Sequence, residues 1–253
     1  MRRWFITPVH DEQALMWINT ADYYVSRGCV EDSWEPDETN FIRQFLKRGD
    51  AFVDIGANIG WFTTLAALIV GPDGSVTAFE PQPVIKQYLS RTVEVNKFSD
   101  RITVNGVGLW SIPQELAFAW SIDSINPGGA HIREGGSAEF TIECRTLDSF
   151  ALDRCNLIKI DVEGAEPHVF RGACETLARH RPLILSELHP GQLRLVSDCS
   201  TADYLSLMAG LGYQARILGG PNHGTAVDGN DPRWSTELAS VVFLPEERGQ
   251  LVF

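Results

Sequence analysis

The sequence has no Cys-x-x-Cys pair, and its five cysteines, Cys29, Cys144, Cys155, Cys174 and Cys199, are scattered and odd in number. That pattern offers neither a zinc ligand set nor a closed disulfide framework, and it fits a reducing cytoplasm. Long apolar runs are missing too. No stretch approaches the roughly 18 apolar residues of a membrane helix. The apolar run after Met1-Arg2-Arg3 is too short for a secretory signal. Basic charge is scarce: 21 Lys and Arg stand against 33 Asp and Glu, a formal net charge of -12. Such a surface repels phosphate backbones. The densest basic run, Arg179 to Arg181, sits at a helix end, where cations are favoured anyway. There is no internal repeat and no low-complexity tract. The expectation is a soluble cytoplasmic protein with no nucleic-acid or membrane partner, its oligomeric state open.

What is present is an ordinary globular balance, 44% hydrophobic and 21% charged residues in a chain of 253. That length buries one substantial core. From about Gly49, strand-like and helix-like segments alternate. This predicts an α/β fold with a mostly parallel, doubly wound sheet over residues 49–253, preceded by a lead-in, residues 1–48, that caps the active site. Residues 51–55 form an apolar strand running into a tight turn at Gly56. A helix over 61–70 follows, stopped by Gly71 and Pro72. A second strand, 76–79, ends at Glu80, and Pro83 opens a second helix. A third strand covers 102–107. The rhythm then breaks. Residues 115–120 and 138–144 read as a β-hairpin inserted at the sheet's edge between the third and fourth parallel strands, around Asn126, Gly128 and Gly129. Strands at 157–161, 183–188, 213–218 and 238–244 complete the sheet, with helices over 167–179 and from a cap at Thr201 to Leu211.

The chemistry concentrates at strand ends, where open α/β sheets bind ligands. Asp54 ends the first strand and is followed by Gly56-Ala57-Asn58-Ile59-Gly60, whose glycines allow a sharp turn and a close approach to a ligand. Glu80 ends the second strand, where a carboxylate can accept both hydroxyls of a ribose. A nucleotide-like ligand across these two ends is therefore expected. A nicotinamide dinucleotide competes, since its fingerprint also pairs a glycine loop with an acidic residue about 20 positions on. The loop here is Gly-x-Asn-x-Gly, however, and Asp54 would face a doubly anionic pyrophosphate. Like charges about 4 Å apart cost on the order of 4 kcal/mol at an effective dielectric of 20. S-adenosylmethionine carries a sulfonium and an ammonium instead, so charge favours the methyl donor. For Asp54 alone, a residue capping the following turn is the plainer account. A non-catalytic module that keeps the pocket is a third alternative.

Three phrases carry a family resemblance: residues 52–63 (Phe-Val-Asp-Ile-Gly-Ala-Asn-Ile-Gly-Trp-Phe-Thr), Phe79-Glu80-Pro81, and residues 157–166 (Leu-Ile-Lys-Ile-Asp-Val-Glu-Gly-Ala-Glu). They resemble motifs of the FkbM-type methyltransferases. Trp34-Glu35-Pro36-Asp37-Glu38-Thr39 is similar to a lead-in seen in such proteins, and Thr146-Leu147-Asp148 and Arg181-Pro182 with Glu187 also match. The likeness spans about residues 34–187 and weakens after His189; Thr92 departs from it, standing where many relatives carry asparagine. The resemblance implies a Rossmann-like class I methyltransferase fold and S-adenosylmethionine as donor. It also implies an acceptor hydroxyl on a small molecule, a sugar or a secondary metabolite such as a polyketide. By the same resemblance Asp54, Gly56, Asn58 and Gly60 line the methionine part, Glu80 holds the ribose, and Glu35 approaches the donor from the lead-in.

A hydroxyl nucleophile must lose its proton, so a base or a metal belongs near the methyl group. The fourth strand's end offers Lys159, Asp161 and Glu163, and the fifth offers Glu187 and His189. Strand alternation puts Lys159 and Asp161 on one side, and likewise Glu187 and His189. His189 is the expected base, because an ordinary pKa of about 6.5 suits proton transfer at neutral pH. Asp161 is expected to orient the acceptor or a cation. Lys159, inside an apolar strand, needs a carboxylate partner, for which Glu187 is the candidate. The plainer accounts are an ion pair that only knits two strands, and a surface histidine before a proline turn. Magnesium held by Asp161 with Glu187 or His189 is chemically admissible, but no metal is predicted. Trp110 and Trp120 read as hairpin packing, and His131 and His223 as solvated.

Overall fold

The structure, a computed structural model, describes residues 4–119, 131–132, 140–229 and 231–248. An N-terminal hairpin pairs β1 (Trp4–Val9) with β2 (Ala14–Asn19), and helices α1 (Val25–Val30) and α2 (Pro36–Phe45) follow. Next come β3 (Ala51–Ile55), α3 (Trp61–Val70), β4 (Ser75–Phe79), α4 (Pro83–Val95) and β5 (Ile102–Asn105). A side branch holds β6 (Gly108–Leu109), β7 (Gln114–Ala119), β8 (His131–Ile132) and β9 (Phe140–Arg145). The chain then returns through β10 (Leu157–Ile160), α5 (Glu166–Arg171), α6 (Cys174–His180) and β11 (Leu183–Leu188). It finishes with α7 (Pro190–Ser197), α8 (Thr201–Gly210), β12 (Tyr213–Leu218) and β13 (Ala239–Pro245).

The main sheet runs β12-β13-β11-β10-β3-β4-β5. Its five strands from β11 to β5 are parallel, and β13 inserts antiparallel between β11 and β12. The predicted mostly parallel α/β sheet, Rossmann-like in its order, is thus the fold. Central strands β3 and β10 are buried at every position, which is why they read as continuous apolar runs. Strand alternation divides the core between the two faces. Phe52, Leu157 and Leu185 pack with the N-terminal hairpin, α2 and α3. Val53, Ile158 and Ile184 pack on the other face with α5, α6 and α8.

Local chemistry sets the helix ends. Gln82 accepts from the Ile85 N–H and Pro83 takes the first helical position, which fixes the start of α4. Ser200, rather than the expected Thr201, caps α8 in a reciprocal capping box with Asp203. Thr201 turns its hydroxyl to the Trp234 carbonyl instead, at 2.7 Å.

Three expectations change. The inserted hairpin does not extend the main sheet's edge. It forms a sheet of its own, ordered β6-β9-β7-β8, around a small core containing Trp110, Leu116 and Ile142. Within it Trp110 stacks on His168, with ring centroids 3.8 Å apart and planes 9° from parallel, so its packing role holds. The tip residues Asn126, Gly128 and Gly129, together with Trp120, lie outside the described residues, as does the His131 side chain. The single helix expected over 167–179 breaks into α5 and α6 at Gly172, where the Trp110 backbone approaches so closely that a Cβ would lie 2.2 Å from its carbonyl oxygen. Helix α7 was not anticipated. Among the described residues no helix is long and apolar enough to cross a membrane.

The contact at Gly172 generates a test. Gly172→Ala must displace the Trp110 backbone rather than a flexible side chain, and is expected to lower stability by about 1–3 kcal/mol. Urea unfolding checks this as a lower midpoint at unchanged slope.

Candidate active site

Register, rather than nearness in sequence, assembles the site. Asp54 pairs with Lys159 across β3 and β10, and Lys159 pairs with Leu185 across β10 and β11. Asp54, Lys159 and, two residues beyond Leu185, Glu187 therefore project from the face that α3 covers. At the carboxyl ends of these strands lies a cavity of about 460 Å³. Gly56, Asn58 and Glu80 wall it on the side of β3 and β4, and Lys159, Asp161, Glu163 and Glu187 on the side of β10 and β11. The lead-in contributes Trp34 and Glu35, and the exposed side chains of Tyr24 and Leu238 also line it.

Glu80 is the best-anchored group. Its Oε2 accepts the Asn58 N–H and its Oε1 the Gln82 N–H, both at 2.9 Å. The carboxylate thus clamps the loop after β3 to the loop after β4. Each oxygen keeps a further lone-pair direction for a ligand donor. Burial pushes its pKa up to about 7, against the pull of those two N–H groups.

Gly56 has φ 80°, and a Cβ on it would lie 1.9 Å from the Asp161 carbonyl oxygen. Its lack of a side chain is thus demanded first by the β10 loop pressing against it. Asn58 also takes a left-handed conformation, φ 49°. Two of the four residues expected at the methionine part sit behind the wall. Asp54 is 1% exposed and does not line the cavity. Its Oδ2 accepts from the Thr63 hydroxyl at 2.5 Å, and its Oδ1 has no hydrogen-bond partner among the described residues. Burial raises its pKa to about 6 while Lys159 opposes the rise. Gly60, φ 102°, precedes α3 at a point where a Cβ would strike Leu89 on α4, so it serves helix packing.

Lys159 does not pair with Glu187 as expected. Its Nζ donates to Asp161 Oδ2 at 3.1 Å and lies 4.8 Å from the Phe62 ring centroid. Asp161, two residues on and just past the end of β10, lies on the same side and takes the ammonium instead. Burial works to lower the Lys159 pKa, but Asp161, Glu35 and Asp54 outweigh it and raise the pKa. Glu187 lines the cavity with its pKa lifted well above the carboxylate range by burial and then by Asp161, Glu163 and Glu166. Glu35, in a left-handed turn before Pro36, is raised by burial too. His189 is the clearest displacement from expectation. It does not line the cavity; its Nδ1 caps α7, accepting from the Gln192 N–H at 3.3 Å. Among the described residues, no group of three or more His, Cys, Asp and Glu side chains is arranged to hold a metal.

Sequence reasoning missed Gln82 as a wall residue and the hold on the lead-in. Thr39 accepts from Trp61 Nε1 at 3.0 Å and donates to the Trp34 carbonyl at 2.8 Å, and Ser240 donates to Glu38. The polar residue ahead of Pro83 was the available signal for Gln82.

A family model described as the methyltransferase FkbM domain matches residues 54–215. Methyltransferase 1 of Beauveria bassiana (strain ARSEF 2860) is 30% identical over 149 residues, 49% of this chain and 58% of that protein. Hexuronic acid methyltransferase AglP of Haloferax volcanii is 27% identical over 170 residues, 64% of this chain and 68% of that one. The crystal structure of methyltransferase FkbM from Methylobacillus flagellatus KT superposes with a TM-score of 0.50 at 19% identity, over 81% of this chain and 50% of that chain. The chain thus spans 58% of the length of the Beauveria relative.

The raised carboxylates have a thermodynamic consequence. Burial and Asp161 lift the Glu163 pKa from 4.5 to about 7. A carboxyl whose pKa rises on folding contributes stability that is fully present below the unfolded value and is lost as pH climbs through the folded one. Glu163→Gln removes that titration. Its ligand-free thermal midpoint relative to the unmodified chain should therefore climb as pH rises from about 4.5 to about 7. A constant or shrinking difference in a fluorimetric pH series would contradict this placement.

Proposed function

The chain belongs to the FkbM methyltransferase family, and from that premise we propose that it moves a methyl group from S-adenosylmethionine to a hydroxyl oxygen of a small sugar or secondary metabolite. The observation that carries this reading is Glu80, a buried carboxylate at the end of the second strand, clamped by two backbone N–H groups beside the glycine loop. The residues present fit the donor. A cavity of about 460 Å³ falls within the usual range for small-molecule sites. Its only Lys, Arg or His among the described lining residues is Lys159, set against Glu35, Glu80, Asp161, Glu163 and Glu187. Such a wall favours a cation and opposes a pyrophosphate.

When bound, the donor supplies an electrophilic methyl group on a positively charged sulfur. Glu80 binds the ribose hydroxyls, and Gly56 and Asn58 form the wall beside it. The lead-in caps the cavity with Trp34 and Glu35, which exclude water. Asp161, held by Lys159, orients the acceptor hydroxyl. Glu163 takes the proton, because a pKa of about 7 matches neutral working conditions. Glu187, its pKa raised to about 9 by burial and then by Asp161, keeps its own proton and donates a hydrogen bond. The same excess of carboxylates disfavours an acidic acceptor, so a neutral polyol is the substrate class, in contrast to the relative named for hexuronic acid.

Two measurements test the reading. Calorimetry with S-adenosylhomocysteine should show saturable binding, weakened at least about tenfold in Glu80→Ala, the cost of losing charged hydrogen bonds. A folded protein giving no saturable heat would end the proposal. In mass-spectrometric assays for a gain of one methyl, neutral sugars and polyketides should react and uronic acids should not. With an accepted substrate, Glu163→Gln should lower kcat by about 100-fold at unchanged S-adenosylhomocysteine affinity, the typical worth of a general base. His189→Ala should leave kcat essentially unchanged; the opposite pattern returns the base role to His189.

A further inference from the structure

Gln82 is 1% exposed and lines the cavity two residues beyond Glu80. Its Oε1 accepts the Ile85 backbone N–H at 2.7 Å. A backbone N–H only donates, so this bond fixes which way the amide faces and makes the other terminal atom, Nε2, the donor. Among the described residues, that Nε2 has no hydrogen-bond partner. An unpaired buried donor is costly, and native structures rarely keep one without a use.

The surroundings narrow the use. Pro81, Ile85, Val107 and Leu109 line the same cavity with apolar surface. Apolar walls with one amide donor match a flat heteroaromatic ring, whose faces are apolar and whose ring nitrogens hold lone pairs in the plane. A hydrocarbon would leave Nε2 unpaired, and a phosphate would meet the Glu80 carboxylate. We propose that Gln82 Nε2 donates a hydrogen bond to a ring nitrogen of the nucleobase whose ribose Glu80 holds, so that Gln82 is a specificity residue for the adenine of the methyl donor. This rests on the S-adenosylmethionine reading and adds to it the part of the chain that reads the base.

The test compares S-adenosylhomocysteine with its 1-deaza, 3-deaza and 7-deaza analogues by calorimetry on the full chain. One analogue should bind about tenfold more weakly than the parent, the usual weight of a buried donor left unpaired. Glu in place of Gln keeps the oxygen that caps α4 and removes the amide donor. Gln82→Glu should therefore bind the parent about tenfold more weakly and lose nothing further with that same analogue. The unmodified chain gives a readout that needs no variant: the Gln82 side-chain NH₂ pair in a nitrogen-15 spectrum should move with the parent and stay in place with that analogue. Equal affinity for all three analogues, undiminished discrimination in Gln82→Glu, or a silent NH₂ pair overturns this proposal and leaves the methyl-donor reading intact. No saturable binding of the parent overturns both.

Discussion

A single buried ammonium organises the carboxyl ends of the central strands. Lys159 stands in β10 at 6% exposure, with Asp161 on its Nζ and Asp54 as its strand neighbour. A charge so deep is tolerated only with opposite charge close by, and removing one partner of such a pair typically costs about 3–5 kcal/mol. The converse holds for Asp54. Burial raises its pKa to about 6, with Lys159 and the Thr63 hydroxyl holding it down. The lysine is therefore the counter-charge that lets several acids share one strand rim, and it is too few to neutralise them. The cavity keeps an excess of carboxylate.

Close backbone packing turns that electrostatic frame into fixed geometry. The Asp161 N–H bonds to the Ile55 carbonyl, the Gly56 and Ala57 N–H groups bond to the Phe79 carbonyl, and Glu80 closes the ring through Asn58 and Gln82. Three strand ends are thereby tied together before any ligand arrives. Only a glycine at position 56 permits this, since the Asp161 carbonyl occupies the space of a side chain. Walls held by rigid strands in this way need little rearrangement on binding.

Strand ends and alternation are local properties, and so the sheet, Glu80, Gly56, Asn58 and the acidic rim could all be read from the residues themselves. What failed depended on contacts between distant segments. A buried lysine needs a carboxylate partner, and Glu187 across the strands is the candidate from sequence, whereas Lys159 Nζ bonds Asp161, two residues on in its own segment. His189 is the expected base from its place at a strand end, but helix α7 begins at the next residue and takes its ring as a cap. The break at Gly172 required knowing where the Trp110 backbone runs, and the lone donor of Gln82 required knowing that its oxygen was already taken by Ile85.

The placement of Asp54 revises the argument for the ligand while keeping its direction. From sequence, the repulsion of a pyrophosphate was assigned to this side chain. In the structure it lies behind the wall, so it contributes through the field it shares with Lys159 rather than by contact. Glu35, Asp161 and Glu163, all half-buried, line the cavity instead, two of them at the fourth strand's end and one on the lead-in. Either ligand meets carboxylate on both sides of the cavity, which attracts a cation and repels a diphosphate. The selection by charge that a single acidic residue suggested is thus distributed over elements that come together only when the N-terminal segment packs on the sheet. Loss of that packing would weaken discrimination between cation and anion without touching Glu80.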